Sequence, residues 1–551
     1  MLQANYRNAQ QEIIFHHPVR AGAQLFRIWF DSRYMFGSSQ TSCIVALDAV
    51  PVEVEVRLRD GEQRFTILGL GGAAVRESRD RILAALQGAG FDPPNQILVN
   101  LAPAEIRKES SVFDLPIAVA IAAALGGVPQ EALRELSICG ELSLLGEVKP
   151  ITGAAAHALA AARRGLRAVI VPRHNGSEAS MVEGVKVIAV ETLSHTLRVL
   201  QGREPPSIEK WSACEARPSL KSLDDVFGQI AAKRALTIAA AGGHNLLMIG
   251  PPGCGKSMLA ERLTSILPSL ESDHLLEVLR IHSIAGQATE GLLAGVRPFR
   301  TPHYVVSDAG LIGGGAGPRP GEVSLAHRGV LFLDEFPEFR RSAVEALRSP
   351  METGWVQVAR AKASINFPAR FQLIAAMNPC PCGRLGSYVG LCRCSHSAVR
   401  DYLAKLSQPI LDRIDLHVEL EAVKVDDLMW SEPITPHRAS NVRAVVMECQ
   451  QRQLSRQGVL NSDVSDGSLR AGIAITDGAR TLLGEAIKKM GISARGYTRI
   501  VRTARTIADL AYSDTVSEEA IAEAISYRSL DRLTNIVHGV PSHYSRNRVS
   551  L

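Results

Sequence analysis

The stretch Leu246-Leu-Met-Ile-Gly-Pro-Pro-Gly-Cys-Gly-Lys-Ser257 decides how the chain is read. Four apolar residues in a row signal a buried strand that runs straight into a glycine-rich loop, and helix formers follow from Met258 to Leu267. In a strand–loop–helix context of this kind, successive backbone N–H groups and the positive end of a helix dipole face a phosphate chain. Gly250, Pro251, Pro252, Gly253, Cys254, Gly255, Lys256 and Ser257 are therefore expected to bind ATP. Lys256 would reach the β- and γ-phosphates, and the Ser257 hydroxyl would ligate Mg²⁺.

Working outward, Gly329-Val-Leu-Phe-Leu-Asp-Glu-Phe336 is a second apolar strand ending in two acids. Asp334 is expected on the metal and Glu335 beside the attacking water, where a carboxylate can polarise it. A third strand, Phe371-Gln-Leu-Ile-Ala-Ala-Met-Asn378, ends in a polar side chain where the γ-phosphate should lie. Asn378 thus resembles the sensor-1 residue of AAA+ ATPases.

At 551 residues the chain is too long for one ordinary domain. With 46% apolar and 21% charged residues, large cores can be buried and global disorder is excluded. A formal charge of +5 permits a basic nucleic-acid surface without demanding one. The longest apolar run, Leu115 to Val128, is shorter than the ~20 residues of a membrane span, so no membrane partner is expected. No secretory pattern opens the sequence, and the expected location is cytoplasmic.

Val52-Glu-Val-Glu-Val-Arg-Leu58 alternates as a half-buried strand should. Ala73 to Gly90 reads as a helix ended by glycine; Gln96 to Leu101, Leu166 to Val171 and Val185 to Val190 read as strands. The fold class is α/β. Residues 1–34 show no clear period and are taken as an extension or a mis-assigned start, with Met35 the alternative beginning. Residues 35–200 form a first α/β domain, and 201–221, opening with Gly202-Arg-Glu-Pro-Pro-Ser207, a linker. A P-loop core covers 222–440, a mostly helical lid 441–535, and a basic tail 536–551.

Arg297-Pro-Phe-Arg-Thr-Pro-His303, Gly313-Gly-Gly315, Leu325-Ala-His-Arg-Gly329, Leu347-Arg-Ser-Pro-Met-Glu352 and Leu411-Asp-Arg-Ile-Asp415 resemble the magnesium-chelatase-like branch of AAA+ proteins. From Met35 onward the whole chain resembles the ComM/YifB family within it, associated with bacterial competence and DNA processing. Tyr304 stands where the family usually has a second histidine, and Ser349 where it usually has glutamine. The resemblance implies a homohexameric ring with ATP between subunits. It places Arg413 at the arginine-finger position, a local pair with Asp412 or Asp415 being the alternative, and Arg495 at sensor 2. Arg499, Arg502 and Arg505 would face phosphate, DNA or solvent.

Residues 137–172 and Arg107-Lys-Glu-Ser-Ser-Val-Phe-Asp-Leu-Pro-Ile117 resemble the proteolytic domain of Lon. Lon-type cleavage needs a serine activated by a lysine. Those positions fall here on Val112 and Ala155; a slip of one offers Ser111, but no lysine lies between Pro150 and Arg163. A non-proteolytic scaffold or DNA-contacting module is expected. Separately, Cys380, Cys382, Cys392 and Cys394 give four thiols on a loop just after Asn378, a set that suits Zn²⁺, although C-x-C spacing is tight and a disulfide pair competes.

The function this resemblance implies is an ATP-driven hexameric motor for branch migration or helicase action on branched or single-stranded DNA during natural transformation. Arg360-Ala-Lys362 and Arg297 to His303 are the candidate DNA loops. The alternatives are a MoxR-like protein-remodelling ATPase and a magnesium-chelatase motor subunit, the latter set aside because such subunits lack a Lon-like domain in front.

Overall fold

Strict alternation in Val52 to Leu58 places Val52, Val54, Val56 and Leu58 in a core and turns Glu53 and Arg57 outward. A computed structural model describes residues 35–211, 221–226, 228–315, 319–359, 364–385, 391–422, 437–468 and 473–528. Residues 1–34, 212–220, the Arg360-Ala-Lys362 turn and the 536–551 tail lie outside the described residues. The chain divides into two units, Met1–Ser212 and Ala213–Leu551.

The first unit is built on strands β1 (Met35–Val45), β2 (Asp48–Arg59), β3 (Arg64–Leu68), β4 (Gln96–Ala102) and β5 (Leu136–Ile138). A small hairpin, β6 (Glu141–Leu142) and β7 (Val148–Lys149), precedes β8 (Ala168–Pro172), β9 (Lys186–Val190) and β10 (Ile208–Glu209). Outside the hairpin these form one mixed sheet in the order β10-β9-β8-β5-β1-β2-β4-β3. The apolar run from Leu115 becomes helix Asp114–Ala124, which packs on β1 and β2; nearly every residue in it is buried. Its uniform apolarity is therefore that of a central core helix, which has no solvent face to be polar. β10 lies inside the stretch read as linker: Ile208 and Glu209 pair with Ile188 and Val187 and extend the sheet edge. Period-two reasoning cannot detect a two-residue strand.

In the second unit β11 (Leu246–Ile249) and β12 (Phe299–Arg300) are followed by the short pair β13 (Gly313–Gly314) and β14 (Arg319–Pro320). Then come β15 (Val330–Leu333), the hairpin β16 (Trp355–Ala359) with β17 (Ser364–Pro368), β18 (Gln372–Met377) and β19 (Leu416–Glu419). The main sheet has the order β12-β15-β18-β11-β19, all parallel. Both faces are covered, so its strands read as unbroken apolar runs, fully buried in β11, β15 and β18. Because the strands are parallel, the residues after β15, β18 and β11 emerge on one edge, where α/β sheets place their ligands.

Helices His437–Gln457, Asp477–Met490, Ala494–Leu510 and Glu518–Ser526 form the lid, capped by Thr476, Ser493 and Ser517 side chains at three N-termini. The lid shares one apolar cluster with the core, and polar ties reinforce it: Arg234 to Glu523, and His244 Nε2 to Thr506 Oγ1 at 2.7 Å.

Candidate active site

The P-loop connects β11 to helix Lys256–Ile266. Gly253 and Gly255 adopt φ of +77° and +92°, the left-handed region that L side chains resist. Gly250 is constrained by space, since a Cβ there would lie 2.8 Å from the Leu420 carbonyl oxygen. Cys254 faces the core and is buried.

Lys256, buried, directs Nζ to the Gly250 carbonyl at 2.6 Å, the Pro251 carbonyl at 3.0 Å and Asn378 Oδ1 at 3.2 Å. Burial lowers its pKa, partly opposed by nearby acids that include Asp334. The Ser257 hydroxyl donates to Asp334 Oδ2 at 2.7 Å. P-loop lysine, P-loop serine, Asp334 and Asn378 thus meet from three strand ends. The hydroxyl and carboxylate are hard oxygen donors of the kind Mg²⁺ takes. Glu335 is exposed beside them, with φ of +52° and its N–H on Asp334 Oδ1 at 2.9 Å. A non-glycine residue held in that region marks strain of the kind concentrated at functional sites.

Gln229 carries no signal in the sequence, because a lone glutamine in a loop belongs to no period or motif. Its amide donates to the Cys254 carbonyl at 3.2 Å and the Glu421 carbonyl at 2.7 Å, tying the P-loop to the end of β19.

Three matches account for nearly the whole described chain. Residues 222–428 match the family profile described as magnesium chelatase, subunit ChlI; residues 54–175 that of subunit ChlI of Mg-chelatase; and residues 437–528 that of the ChlI C-terminal part. The YifB protein of Escherichia coli K12 is 39% identical over 495 residues, covering 90% of this chain and 97% of that protein. Competence protein ComM of Haemophilus influenzae is 40% identical over 496 residues, 89% of this chain and 96% of that protein. The chain belongs to the ComM/YifB family of magnesium-chelatase-like AAA+ ATPases. ATP and Mg²⁺ are the cofactors of this ATPase family. The N-terminal region of this ComM/YifB chain is also similar to Lon protease of Brevibacillus choshinensis, 27% identical over 172 residues, 29% of this chain and 22% of that protein.

Several expectations are corrected. Arg413 pairs with neither Asp412 nor Asp415: it is buried, bonded to the Pro409 carbonyl and to Glu352, which lies far away in sequence at the end of a short helix. Arg499 is only partly exposed and bonds Asp415 Oδ1 at 2.8 Å. Arg502 is held by Asp466 and the Val464 carbonyl, and Arg505 by Asp509 and two loop carbonyls. Arg495 is exposed in the first turn of Ala494–Leu510.

Of the candidate DNA loop, Arg297 binds the Pro268 and Arg328 carbonyls and Arg300 forks onto Glu322, so both are structural. In the first unit Val112 and Ala155 are buried, and the Ser111 hydroxyl donates to Glu141. The four thiols converge, with all their Sγ atoms within 4.8 Å of one another. Cys380, Cys382, Cys392 and Cys394 are each free, so the disulfide alternative is not what the structure shows. The Arg384 N–H and the Cys380 thiol draw the Cys382 thiol down to about 6. Among the described residues no helix is long and apolar enough to cross a membrane.

Proposed function

We propose that this chain is an ATP-driven DNA motor that assembles as a homohexamer and promotes branch migration or unwinding of recombination intermediates during natural transformation, acting in the cytoplasm. The observation that carries the competence reading is similarity to a protein named for competence over 89% of this chain and 96% of that protein. The geometry supports the motor: the polar ends of β11, β15 and β18 converge, and the same unit continues into a helical lid joined to the core by a shared apolar cluster.

In this reading Lys256 contacts the β- and γ-phosphates, while Ser257 and Asp334 hold Mg²⁺. Glu335 polarises water, Asn378 orients the γ-phosphate, Arg413 acts from the neighbouring subunit and Arg495 serves as sensor 2. Bound metal and nucleotide supply the phosphoryl chemistry; the chain's own residues position and polarise. Zn²⁺ in the thiol cluster completes the cofactor set. The Lon-like region serves as scaffold or DNA contact.

The deciding experiment is branch migration of a labelled synthetic Holliday junction with ATP, comparing the native chain with Lys256→Ala. Strand-exchanged product from the native chain alone supports the motor. Absence of product, together with ATP turnover indifferent to DNA, would replace it with protein remodelling.

A further inference from the structure

The turn that leaves the end of β18 does two things at once. It carries Asn378, whose Oδ1 sits 3.2 Å from Lys256 Nζ, and two residues later it begins the thiol cluster at buried Cys380. Gly383 closes that turn, its N–H on the Cys380 carbonyl at 2.9 Å and its φ at +74°. A Cβ on Gly383 would lie 2.6 Å from Pro252 Cδ and 3.8 Å from Asn378 Cγ. The cysteine turn is therefore packed directly on the P-loop. On the far side, Cys392 and Cys394 lead into helix His396–Leu403, capped by the Ser395 hydroxyl, and Tyr402 of that helix meets the backbone of Asn378. Both halves of the cluster thus end on the same sensor residue.

The thiol spacing is that of a ligand set. Cys380 Sγ lies 3.4 Å from Cys382 Sγ and 3.7 Å from Cys392 Sγ, and Cys382 Sγ lies 3.6 Å from Cys392 Sγ. Four sulfurs placed tetrahedrally about 2.3 Å from a zinc ion stand about 3.8 Å apart. An all-sulfur tetrahedral set selects Zn²⁺ over the oxygen-seeking Mg²⁺ of the nucleotide site. Without a cation, sulfurs at this separation stay protonated and share hydrogen bonds; a Zn²⁺ between them would displace those protons and lock the four as thiolates.

We infer that Cys380, Cys382, Cys392 and Cys394 bind one Zn²⁺ ion and that this site fastens Asn378 and the P-loop in register, making zinc a structural requirement for ATP turnover. The inference extends the ATPase part of the proposed function and does not depend on the DNA part.

The test starts with elemental analysis of untagged full-length protein, which should hold about one zinc per chain. A Cys392→Ser, Cys394→Ser double variant should lose most of that zinc and at least about tenfold in ATP turnover. To separate this from misfolding, native protein is stripped with a zinc chelator while Mg²⁺ is kept in excess, and zinc is then restored. Turnover should fall and recover with bound zinc, while far-ultraviolet circular dichroism changes little. Less than about a fifth of a zinc per chain would overturn the site. Full zinc in the double variant would overturn the ligand assignment, and turnover unchanged by stripping would overturn the link to the nucleotide site. Any of these failures would leave junction migration by the native protein intact, whereas failure of the motor reading would appear only in that DNA assay.

Discussion

The Ser257 hydroxyl donates to Asp334 Oδ2 at 2.7 Å, joining the ends of β11 and β15, two strands that are not neighbours in the sheet. Between them runs β18, and Asn378 just past its end meets Lys256, the residue before Ser257 in the P-loop helix. This pair is where a hard divalent ion would be gripped. Ser257→Ala should therefore weaken Mg²⁺ binding, shifting the Mg²⁺ requirement to higher concentration, and lower ATP turnover about a hundredfold. Lys256→Ala should abolish it. Steady-state hydrolysis at varied Mg²⁺ checks both, and unchanged turnover in Lys256→Ala would refute the P-loop assignment.

Glu335 has a different task from its neighbour. It is exposed, strained at φ of +52°, and only its backbone N–H is used to hold Asp334. Glu335→Gln preserves size and that N–H while removing the carboxylate. ATP binding, followed with a fluorescent analogue, should persist, and hydrolysis should drop about 10²-fold or more. Loss of binding along with turnover would show that Glu335 serves the architecture instead.

The nucleotide site was legible because its signals are local. An apolar strand feeding Gly250 to Ser257 needs no partner to be recognised, and the same holds for Val330 to Asp334 and for Leu373 to Asn378. Arginine roles were not legible, because an arginine's role depends on what lies opposite it. Arg499, Arg502 and Arg505 occupy a regular three-residue spacing that left phosphate, DNA and solvent all open, yet each has a partner within the chain: Arg499 and Arg502 in other segments, Arg505 at Asp509 one turn on in its own helix and at carbonyls of the loop that follows. Glu352 and Arg413 are far apart in sequence, and no pattern announces the pair. β10 escaped for the opposite reason, being too short for any period to register.

Arg413 offers a sharp test. Within one subunit its guanidinium is buried against Glu352 and the Pro409 carbonyl. A finger working on the neighbour's ATP must exchange the half-exposed Glu352 for the transferring phosphoryl group. Arg413→Ala alone should reduce turnover by about 10³-fold. Mixing it with Lys256→Ala subunits should restore a fraction of activity, since some interfaces then join an intact P-loop to an intact arginine. No recovery on mixing would confine Arg413 to its local pair.

Asp415 and Arg499 form a buried electrostatic tie between sheet and lid. The carboxylate is wholly buried and also accepts the Asn245 N–H at 2.9 Å. Burial alone would raise its pKa, but the Arg499 charge, His244 and the Asn245 N–H hold it below the usual carboxylate range. A depressed carboxyl stabilises the fold at neutral pH, and that contribution is lost as pH falls through the lowered value, below about pH 4. Arg499→Ala leaves a buried charge without its main partner and should cost about 3 kcal/mol in urea unfolding at pH 7. The penalty should shrink on acidification and be partly relieved by Asp415→Asn in the same chain. An equal penalty at pH 3 and pH 7 would exclude the ion pair as its cause.

The Lon-like unit carries the last prediction, and it concerns an activity that should be missing. A serine nucleophile needs a base that can take its proton. The dyad positions fall on Val112 and Ala155, both buried, and the Ala155 N–H is bound by Glu178 Oε1 at 2.9 Å. Ser111 is the neighbouring hydroxyl to the lost nucleophile, but it faces the carboxylate of Glu141 in place of the lysine amine that Lon-type cleavage uses. Lys108 offers no help, because its ammonium is buried and donates to the Gly69 and Leu101 carbonyls at 3.0 Å and to that of Pro103. Lys108→Ala should therefore destabilise the domain by leaving those acceptors unpaired, by about 1–3 kcal/mol. Casein incubated with the protein and ATP should be cleaved no faster than with Lys256→Ala, and Ser111→Ala should change nothing. ATP-dependent cleavage abolished by Ser111→Ala would mean that Glu141 does what the missing lysine does in Lon.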